Sequence, residues 1–508
     1  MTVPSRQDTL HDLVFLPRDI FWLVVGYLPL KDVVRCRRVS QAWNEAFGNP
    51  AVLSPLLKWH FPWTQEAKDL KASSDPSDTS SVLDPSGSTI RRAFDQVVAR
   101  YDHIERGTPR SVQRYPLCDD FGRSGDPEWF QVQSWASHAS HPRLDVDRQF
   151  SESMWTYEDG LVVFPSAAHQ CLVLLDLNSD RQFMVPFVVQ GKVTRRVRLQ
   201  QRVLVVEWAE LKAFHWLNES DSVHRHYASS FDVTPKSDNG WSITPRNEWK
   251  IMFLGHPLSE RDRFFSAHTQ THYVIYIWQP NRSLYTADED APIESLFVWD
   301  FSKTSSYRPF LDPTGSETGP EVDQSPSIVA RFGYRELAFF DIRQRGSPSL
   351  QHLAVTTDGQ AIEVTENTCE RRQGAPETLI TSIPLEGNGP HNFSRPHSVL
   401  PVYRSNCSFQ TMSSDLDGPV DQFSILAQVT NTEADLRFIL HFDHSKVEIQ
   451  DWNTPRARDT INLTIQTSFA HLTIGALDFS GRAKICGSDR YLMGENCKRE
   501  LVIHRFDR

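Results

Sequence analysis

Cysteine is scarce in this sequence and follows no pairing pattern. The seven cysteines are scattered, their number is odd, and no Cys-x-x-Cys pair occurs among them. Disulfide-rich domains and zinc sites need cysteines at short, regular spacings, so both classes are excluded and we expect no metal. A reducing compartment, the cytoplasm or the nucleus, suits such a chain best.

Long hydrophobic runs are also missing. The longest run covers residues 20–30, is interrupted by Gly26 and Pro29, and is too short to span a bilayer. The first residues show no positively charged segment followed by an apolar one, so we expect no secretory signal. The sequence therefore predicts no membrane partner.

Clustered positive charge is nearly absent. The net charge is −11, and a nucleic-acid binder needs grouped cations to neutralise phosphates, so we expect no nucleic-acid partner. The one notable basic run contains Arg195, Arg196, Arg198 and Arg202. Its alternating pattern predicts the solvated face of a strand. The loops of the body offer no arginine cluster typical of phosphopeptide recognition.

Catalytic signatures are missing as well. The chain has no Gly-x-Ser-x-Gly elbow, no phosphate loop and no His-Glu-x-x-His motif, and we expect no cofactor. Two histidine pairs, His138-x-x-His141 and His224-x-His226, have no third ligand nearby and are predicted to lie on the surface. Residues 415–418 begin like a calcium loop, but a serine stands at the twelfth position, so we expect a turn.

What the chain does contain is a compact helical pattern over residues 16–47. Apolar residues at helical spacing predict a first helix that is apolar nearly all round and ends before Pro29. A second short helix follows, and Ser40 is placed to cap a third. About thirty residues cannot bury this much apolar surface alone, so the segment is predicted to dock against something else.

This stretch resembles an F-box. The positions that carry the resemblance are Leu16, Pro17, Asp19, Ile20, Val24, Tyr27, Leu28, Asp32, Val33, Val39, Ser40 and Trp43. Two departures are Leu23, where many relatives carry an acidic residue, and Gly26, which costs a helix about 1 kcal/mol relative to alanine. The resemblance implies binding to the Skp adaptor of an SCF-type cullin ubiquitin ligase. The alternative is a three-helix cap that belongs to the rest of the protein.

The resemblance also implies which side chains contact the adaptor. We expect these to be Leu16, Pro17, Ile20, Leu28, Leu30, Val33, Val39 and Trp43. Internal packing of the three helices is the alternative for each of them. For Ile20 and Trp43 both interpretations stay open, because one side chain can do both.

Composition divides the chain into four parts. Residues 10–63 form the F-box with a helical extension, and residues 64–88 are a serine- and aspartate-rich linker whose composition predicts disorder. Residues 89–110 contain an amphipathic helix that bridges to the body. Residues 111–508 are rich in short apolar runs of period two and are predicted to recruit a substrate.

The body is predicted to be all-β, because no comparable helical pattern lies between its short runs. Several runs end in an apolar residue followed by aspartate, at Asp176, Asp300, Asp341, Asp443 and Asp507, with a variant at 216–218. The regular steps are about 40–45 residues, the period of a four-stranded propeller blade.

We therefore expect a multidomain protein with a small all-α F-box and a divergent β-propeller of six or seven blades, within a range of five to eight. One or two β-sandwiches are the alternative. The last run, Leu501 to Phe506, is placed to complete a blade with an early strand and so close the ring.

The function that these observations favour is that of a non-catalytic substrate receptor. The F-box would bind the Skp adaptor, and through it a cullin, while the body would hold an unknown client protein for ubiquitination. Two alternatives remain open: an F-box scaffold that acts outside ubiquitination, and an enzyme with its active site in the central channel. No residue of the sequence points to the client.

Overall fold

The computed structural model describes the helical segment and most of the β-rich body. The described residues are 13–62, 64–72, 87–118, 154–218, 221–237, 240–251, 263–279, 292–317, 319–324, 326–344, 350–356, 358–367, 378–385, 408–410, 426–431, 436–443, 460–466, 471–477, 486–496 and 498–507. Three predictions lie outside these ranges: the pair His138 and His141, the turn at 415–418, and disorder over 73–86.

The N-terminal part of the structure is a helical unit. After a 3₁₀ turn at Leu13–Phe15 its helices are α1 (Arg18–Tyr27), α2 (Leu30–Cys36), α3 (Gln41–Phe47), α4 (Pro50–His60), α5 (Gln65–Ala72) and α6 (Gly87–Arg106). One core joins α1, α3, α4 and α6, with Val25, Phe47, Leu57 and Phe94 among its fully buried side chains. The F-box helices are thus packed against two further helices of the same chain.

Local sequence explains where these helices begin and end. Pro29 follows α1 and starts α2, since a proline has no N–H to continue the first helix. The predicted cap is confirmed, because the Ser40 hydroxyl accepts a hydrogen bond from the backbone N–H of Trp43 at 3.2 Å. Asn49 caps α4 in the same way, accepting from the N–H of Ala51 at 2.9 Å.

The predicted linker begins too early in the sequence. Residues 65–72 form helix α5, because this segment holds Glu, Ala, Lys, Leu and Gln, which favour helices, and the serine-rich composition starts only afterwards. Ala67 of α5 is fully buried in the core of the helical unit. The prediction of a disordered linker from residue 64 is therefore wrong for these eight residues.

The β-rich body begins with strand β1 (Ser111–Pro116) and contains six antiparallel sheets within the described ranges. Sheet 1 has strands β2 (Thr156–Glu158), β3 (Leu161–Ser166), β4 (Cys171–Asp176) and β5 (Arg181–Met184). Sheet 2 has β6 (Lys192–Gln200), β7 (Val203–Glu210), β10 (His226–Pro235) and β11 (Trp241–Ile251), with the hairpin β8 (His215–Asn218) and β9 (Asp221–Val223) inserted after β7. Sheet 3 has β12 (Arg263–His268), β13 (His272–Gln279), β14 (Ile293–Asp300) and β15 (Ser327–Phe332).

The remaining sheets follow in chain order. Two short helices, α7 (Pro320–Asp323) and α8 (Tyr334–Phe339), flank β15. Sheet 4 has β16 (Leu350–Val355), β17 (Ala361–Asn367) and β18 (Thr378–Pro384). Sheet 5 has β19 (Ser408–Gln410), β20 (Leu426–Asn431), β21 (Leu436–Asp443), β22 (Thr460–Gln466) and β23 (His471–Leu477). Sheet 6 has β24 (Cys486–Gly487), β25 (Tyr491–Glu495) and β26 (Glu500–Arg505), and its fourth strand is β1.

These sheets form a divergent β-propeller, as predicted. Separate buried cores lie between sheets 6 and 1, 1 and 2, 2 and 3, and 3 and 4, so neighbouring sheets pack face to face in chain order. The predicted closure is confirmed, because β26 pairs with β1 in a register that runs from Ser111 opposite Arg505 to Pro116 opposite Glu500. A sandwich of two sheets would not produce this series of cores.

Two predictions about polar residues of sheet 2 are wrong. Arg195 and Arg196 are buried in β6, where their guanidinium groups lie over the rings of Phe264 (5.4 Å) and Phe265 (4.8 Å) of sheet 3. The surface pair at 224 and 226 is likewise buried, and Nε2 of His226 lies 2.9 Å from Nη1 of Arg195. The alternation of residues along a strand shows which side chains share a face. It does not show whether a second sheet covers that face.

The aspartates that follow apolar runs have a structural explanation. Asp176 and Asp443 end β4 and β21, Asp300 ends β14, and Asp507 follows β26, so each lies at the end of the third strand of its sheet. The carboxylate of Asp176 accepts from the N–H of Asn178 at 2.8 Å and that of Asp300 from the N–H of Ser302 at 2.8 Å, which fixes the following turn.

Two members of the proposed repeat do not belong to it. Residues 216–218 lie in β8 of the inserted hairpin, and Asp341 follows helix α8. The apparent step of 40 residues was therefore partly a coincidence, while four of the six described sheets do contain the predicted four strands. Among the described helices, none is both long and apolar enough to cross a membrane.

Candidate functional site

Helix α1 exposes more large apolar side chains than a helix whose outer side faces only solvent normally does. Phe21 and Val25 point into the core, but Ile20, Leu23 and Tyr27 remain 46%, 59% and 89% exposed. Their spacing of three and four residues places them on one side of the helix. The all-round apolar sequence of α1 thus produces one covered side and one uncovered side.

A tryptophan from α4 extends this surface. A Cβ atom built at Gly26 would lie 3.4 Å from the ring of Trp59, which shows how closely the indole approaches the backbone of α1. Trp59 itself is 71% exposed. The indole therefore lies in van der Waals reach of α1 at Gly26. We call Ile20, Leu23, Tyr27 and Trp59 the α1 face.

The structure places the eight predicted contact residues in three different surroundings. Ile20, Pro17 and Val39 are exposed. Leu16, Leu28, Leu30 and Trp43 are half-buried, packing against the core of the helical unit while keeping part of their surface open. Each of these seven therefore has surface that a partner could contact.

Val33 is different, because its side chain is fully buried in the core of the helical unit. A side chain without exposed surface cannot contact a partner unless the helices move apart. The expectation of a direct contact is therefore corrected at this position, where packing of α2 against its neighbours explains the apolar residue.

Trp43 shows how one side chain serves both purposes. Its ring stacks on Phe47 at a centroid distance of 5.2 Å, and Phe47 meets Phe21 edge to face at 5.1 Å. This aromatic series ties α3 to α1. The half-buried Trp43 ring still leaves part of its surface uncovered, so both interpretations fit the structure.

Sequence reasoning missed several exposed apolar residues as candidate contacts. Phe15, Leu23, Tyr27 and Trp59 were not among the eight, although all are more than half exposed. The signal was present for α1, since its sequence is apolar nearly all round and its packed side covers only Phe21 and Val25 fully. For Trp59 no such signal existed, because α4 has its own buried side.

Helix α6 anchors the F-box helices. The Nε of Arg37, just after α2, donates to the carbonyl of Phe47 at 3.0 Å, and its Nη1 lies 2.5 Å from the carboxylate of Asp95 in α6. Arg91 of α6 also donates to the side chain of Asn44 at 2.6 Å. These contacts hold α2 and α3 against the long helix that leads to the body.

Four charged side chains join the helical unit to the body. Arg100 of α6 is buried and pairs with Glu66 of α5 and, at 2.5 Å, with Asp489 in the turn between β24 and β25. Arg490 of the same turn lies 3.1 Å from Glu66. We call Glu66, Arg100, Asp489 and Arg490 the junction cluster.

The charges in the junction cluster support one another. Burial of Glu66 opposes its ionisation, but the positive charges of Arg100 and Arg490 and its hydrogen bonds outweigh this and lower the pKa of the carboxyl group. The carboxylate is therefore charged at neutral pH. A buried arginine held by two carboxylates fixes the orientation of α6 on sheet 6.

Within the described part of the chain, no three His, Cys, Asp or Glu side chains lie close enough to hold a metal ion. The outstanding features of the helical unit are an apolar face and a rigid connection to the propeller. Together they define a class of protein in which a small helical unit with an exposed apolar face is joined to a large β-domain.

Comparison with known families agrees with this description. Residues 13–53 match the family model described as F-box-like, so the chain carries an F-box-like domain. Such domains are typical of subunits that bind Skp adaptors in SCF ubiquitin ligases. No curated protein matches the sequence significantly.

Several solved structures resemble the chain weakly. They include the crystal structure of a mitotic checkpoint complex (9% identity, 78% of this chain and 95% of that chain, TM-score 0.30). A Trypanosoma rangeli sialidase in complex with 2,3-difluorosialic acid is similar at 10% identity (70% and 55% coverage, TM-score 0.31). The β-propeller domain of the Trilobed protease from Pyrococcus furiosus follows, at 10% identity (70% and 94% coverage, TM-score 0.23). The fold assignment rests on the sheets described above and not on these scores.

Proposed function

We propose that this protein is a substrate receptor of an SCF-type ubiquitin ligase. The observation that carries the proposal is the α1 face, an uncovered apolar surface on an F-box-like domain. Contiguous apolar surface on a folded unit marks a docking site. The occupant is a Skp adaptor, which connects the chain to a cullin.

The proposed adaptor contacts include residues expected from the sequence and residues found exposed in the structure. The centre of the surface is formed by Ile20, Leu23 and Tyr27. Around it lie the exposed parts of Pro17, Val39 and Trp43, and the half-buried residues contribute further contacts: Leu16, Leu28 and Leu30. Burying one large apolar side chain contributes about 1.5–3 kcal/mol, so a few such residues suffice for a stable complex.

The mechanism that we propose is positioning without chemistry in this chain. The propeller would hold a client protein, and the junction cluster would keep the propeller at a fixed orientation to the adaptor-bound helices. A conjugating enzyme bound elsewhere on the ligase then meets the client lysine at high effective concentration. The scattered cysteines support an action in the cytoplasm or the nucleus.

The proposal is tested by capture of the purified chain on an immobilised Skp adaptor. Tyr27→Asp places a charge in the centre of the apolar face, and we expect it to weaken capture at least tenfold, since a desolvated charge has no partner there. Phe214→Asp, a matched change of an aromatic residue that is 61% exposed on the β-body, should leave capture unchanged. Equal capture of wild type and Tyr27→Asp would contradict the proposed surface.

A scaffold function outside ubiquitination is distinguished by adding the cullin. A substrate receptor forms a complex of chain, adaptor and cullin. A scaffold that acts outside ubiquitination binds the adaptor without assembling a complex with the cullin. Retention of the cullin on the immobilised chain, lost together with the adaptor in Tyr27→Asp, supports the ligase function.

A further inference from the structure

Strand β15 is an outer strand with an unusual apolar edge. It pairs with β14 on one side, and no described strand pairs with its other side. Ile328 and Val329 are 50% and 49% exposed, although both are β-branched residues that favour burial in a sheet. A register shift opposite Val298 and Trp299 leaves Val329 as the extra residue of a bulge. Both side chains therefore remain uncovered.

Three other outer strands, β5, β1 and β11, protect their edges. Strand β5 has only four residues, and β1 exposes Arg114 and ends in Pro116. Strand β11 contains Pro245, and residues 302–317 lie over its second half, with the N–H of Ser305 donating to the carbonyl of Arg246 at 3.2 Å. Natural sheets use such devices to prevent unwanted pairing. Strand β15 carries a bulge and Arg331, but it has no proline, and no described strand covers its outer side.

The end of β15 leads into an open cleft of about 350 Å³. Its lining includes Arg331 and Phe332 of the strand, Tyr334 of α8, and Arg343, whose guanidinium lies 4.0 Å from the centre of the Tyr334 ring. The strand edge and the cleft are continuous, since the residues that end the strand line the cleft.

The charge in this cleft is positive in balance. Glu294 is the acidic residue of the lining, and its carboxylate is engaged by the N–H of Gln344 at 2.6 Å, by the hydroxyl of Tyr276 and by Arg343 at 3.5 Å. Arg331 also lines the cleft and is exposed, with its guanidinium 5.7 Å from the centre of the Phe297 ring. The carboxylate of Glu294 is therefore satisfied internally, and its ion pair is with Arg343 and not with Arg331.

We propose that β15 binds an extended acidic peptide of a partner protein as an added strand. The peptide backbone pairs with the open edge, its apolar side chains cover Ile328 and Val329, and an aspartate or glutamate side chain reaches Arg331 at the cleft. This inference deepens the proposed function, because the peptide would belong to the client. It rests on the β-body alone and needs no adaptor.

The test uses the full chain and synthetic labelled peptides, followed by fluorescence anisotropy. The probe alternates valine and threonine and carries one glutamate near its end. A second peptide has lysine in place of the glutamate, and a third has N-methylated alternate amides that cannot form a ladder. We expect the glutamate peptide to bind at least tenfold more tightly than the lysine peptide, and the N-methylated peptide not to bind.

Variants of the chain locate the site. Ile328→Lys and Arg331→Glu should each weaken binding of the glutamate peptide at least tenfold, and Arg331→Glu should favour the lysine peptide. Val112→Lys is the matched control, because Val112 is a partly exposed apolar residue on the outer strand β1, and it should bind as wild type does. Circular dichroism verifies that each variant is folded.

Four results would overturn the proposal. Three are absence of binding by folded wild type, equal binding of the glutamate and lysine peptides, and equal loss of binding in Val112→Lys. Self-association of the chain that Ile328→Lys abolishes would also overturn it, because the occupant would then be a second copy. Adaptor capture of Ile328→Lys, measured in parallel, separates a failure at this edge from a failure of the proposed function.

Discussion

Val33 and Val39 are six residues apart and belong to the same F-box pattern, yet their surroundings are opposite. Val33 is fully buried among the helices, whereas Val39, in the connection between α2 and α3, is 63% exposed. The difference decides what each valine does. One stabilises the helical unit, and the other offers surface to a partner.

Substituting aspartate at these two positions should separate folding from binding. Val33→Asp buries a charge without a partner, and we expect it to lower the free energy of unfolding by about 3–5 kcal/mol. Val39→Asp should change stability by less than about 0.5 kcal/mol but weaken adaptor capture. Thermal unfolding followed by circular dichroism measures the first effect and the capture assay the second. Equal melting temperatures of the two variants would contradict the assignment.

At the scale of elements, the F-box helices were predictable because caps, prolines and spacing are local. Ser40 and Pro29 determine helix boundaries through contacts within a few residues. The environment of a strand is not local: β6 looked half-exposed, but sheet 3 covers Arg195 and Arg196. Part of the α1 face was predictable, because the spacing places Ile20 and Tyr27 on one side of the helix. Trp59 was not predictable, because only tertiary packing brings it beside Gly26.

The junction cluster predicts a pH dependence of stability. The pKa of Glu66 is lowered from its ordinary 4.5 in the folded state, so its contribution is fully present above that value. This contribution to the free energy of unfolding is lost as the pH falls below 4.5 and through the lowered pKa that Glu66 has in the folded state. Glu66→Gln should therefore cost about 1–3 kcal/mol at pH 7 and less at pH 3.

Melting temperatures of wild type and Glu66→Gln between pH 7 and pH 3 check this expectation. Glu105→Gln is the matched control, since Glu105 forms an exposed ion pair with Lys31 at 3.8 Å, which contributes little to stability. A difference between wild type and Glu66→Gln that does not shrink on acidification would show that Glu66 is not held as a carboxylate by Arg100 and Arg490.

At the scale of the whole molecule, the C-terminal strand and its neighbours close the propeller. Arg505 is buried at the end of β26, donates to the carbonyl of Leu177 at 2.7 Å, and pairs with Asp180 in the turn after β4. It thereby connects sheet 6 to sheet 1. The closure itself was predictable from a final apolar run, but this arginine contact was not, because 325 residues separate the partners.

Removal of this contact should weaken the whole ring. Arg505→Met removes the ion pair with Asp180 and the hydrogen bond to the Leu177 carbonyl, and we expect a loss of about 3 kcal/mol in the free energy of unfolding. Arg106→Met, which removes an exposed pair with Asp102 within α6, should cost less than about 0.5 kcal/mol. Denaturant titration of both variants measures these losses. Equal unfolding midpoints of Arg505→Met and Arg106→Met would contradict a function of Arg505 in closing the propeller.

The central claim is that one apolar face of α1 connects this chain to a ubiquitin ligase. The most direct measurement is the mass of the complex formed by the chain, a Skp adaptor and a cullin, determined by light scattering after gel filtration. The account predicts one species with one copy of each protein, absent when the chain carries Ile20→Asp and Tyr27→Asp. Elution of the folded wild-type chain at its own mass, beside a separate adaptor–cullin complex, would contradict it.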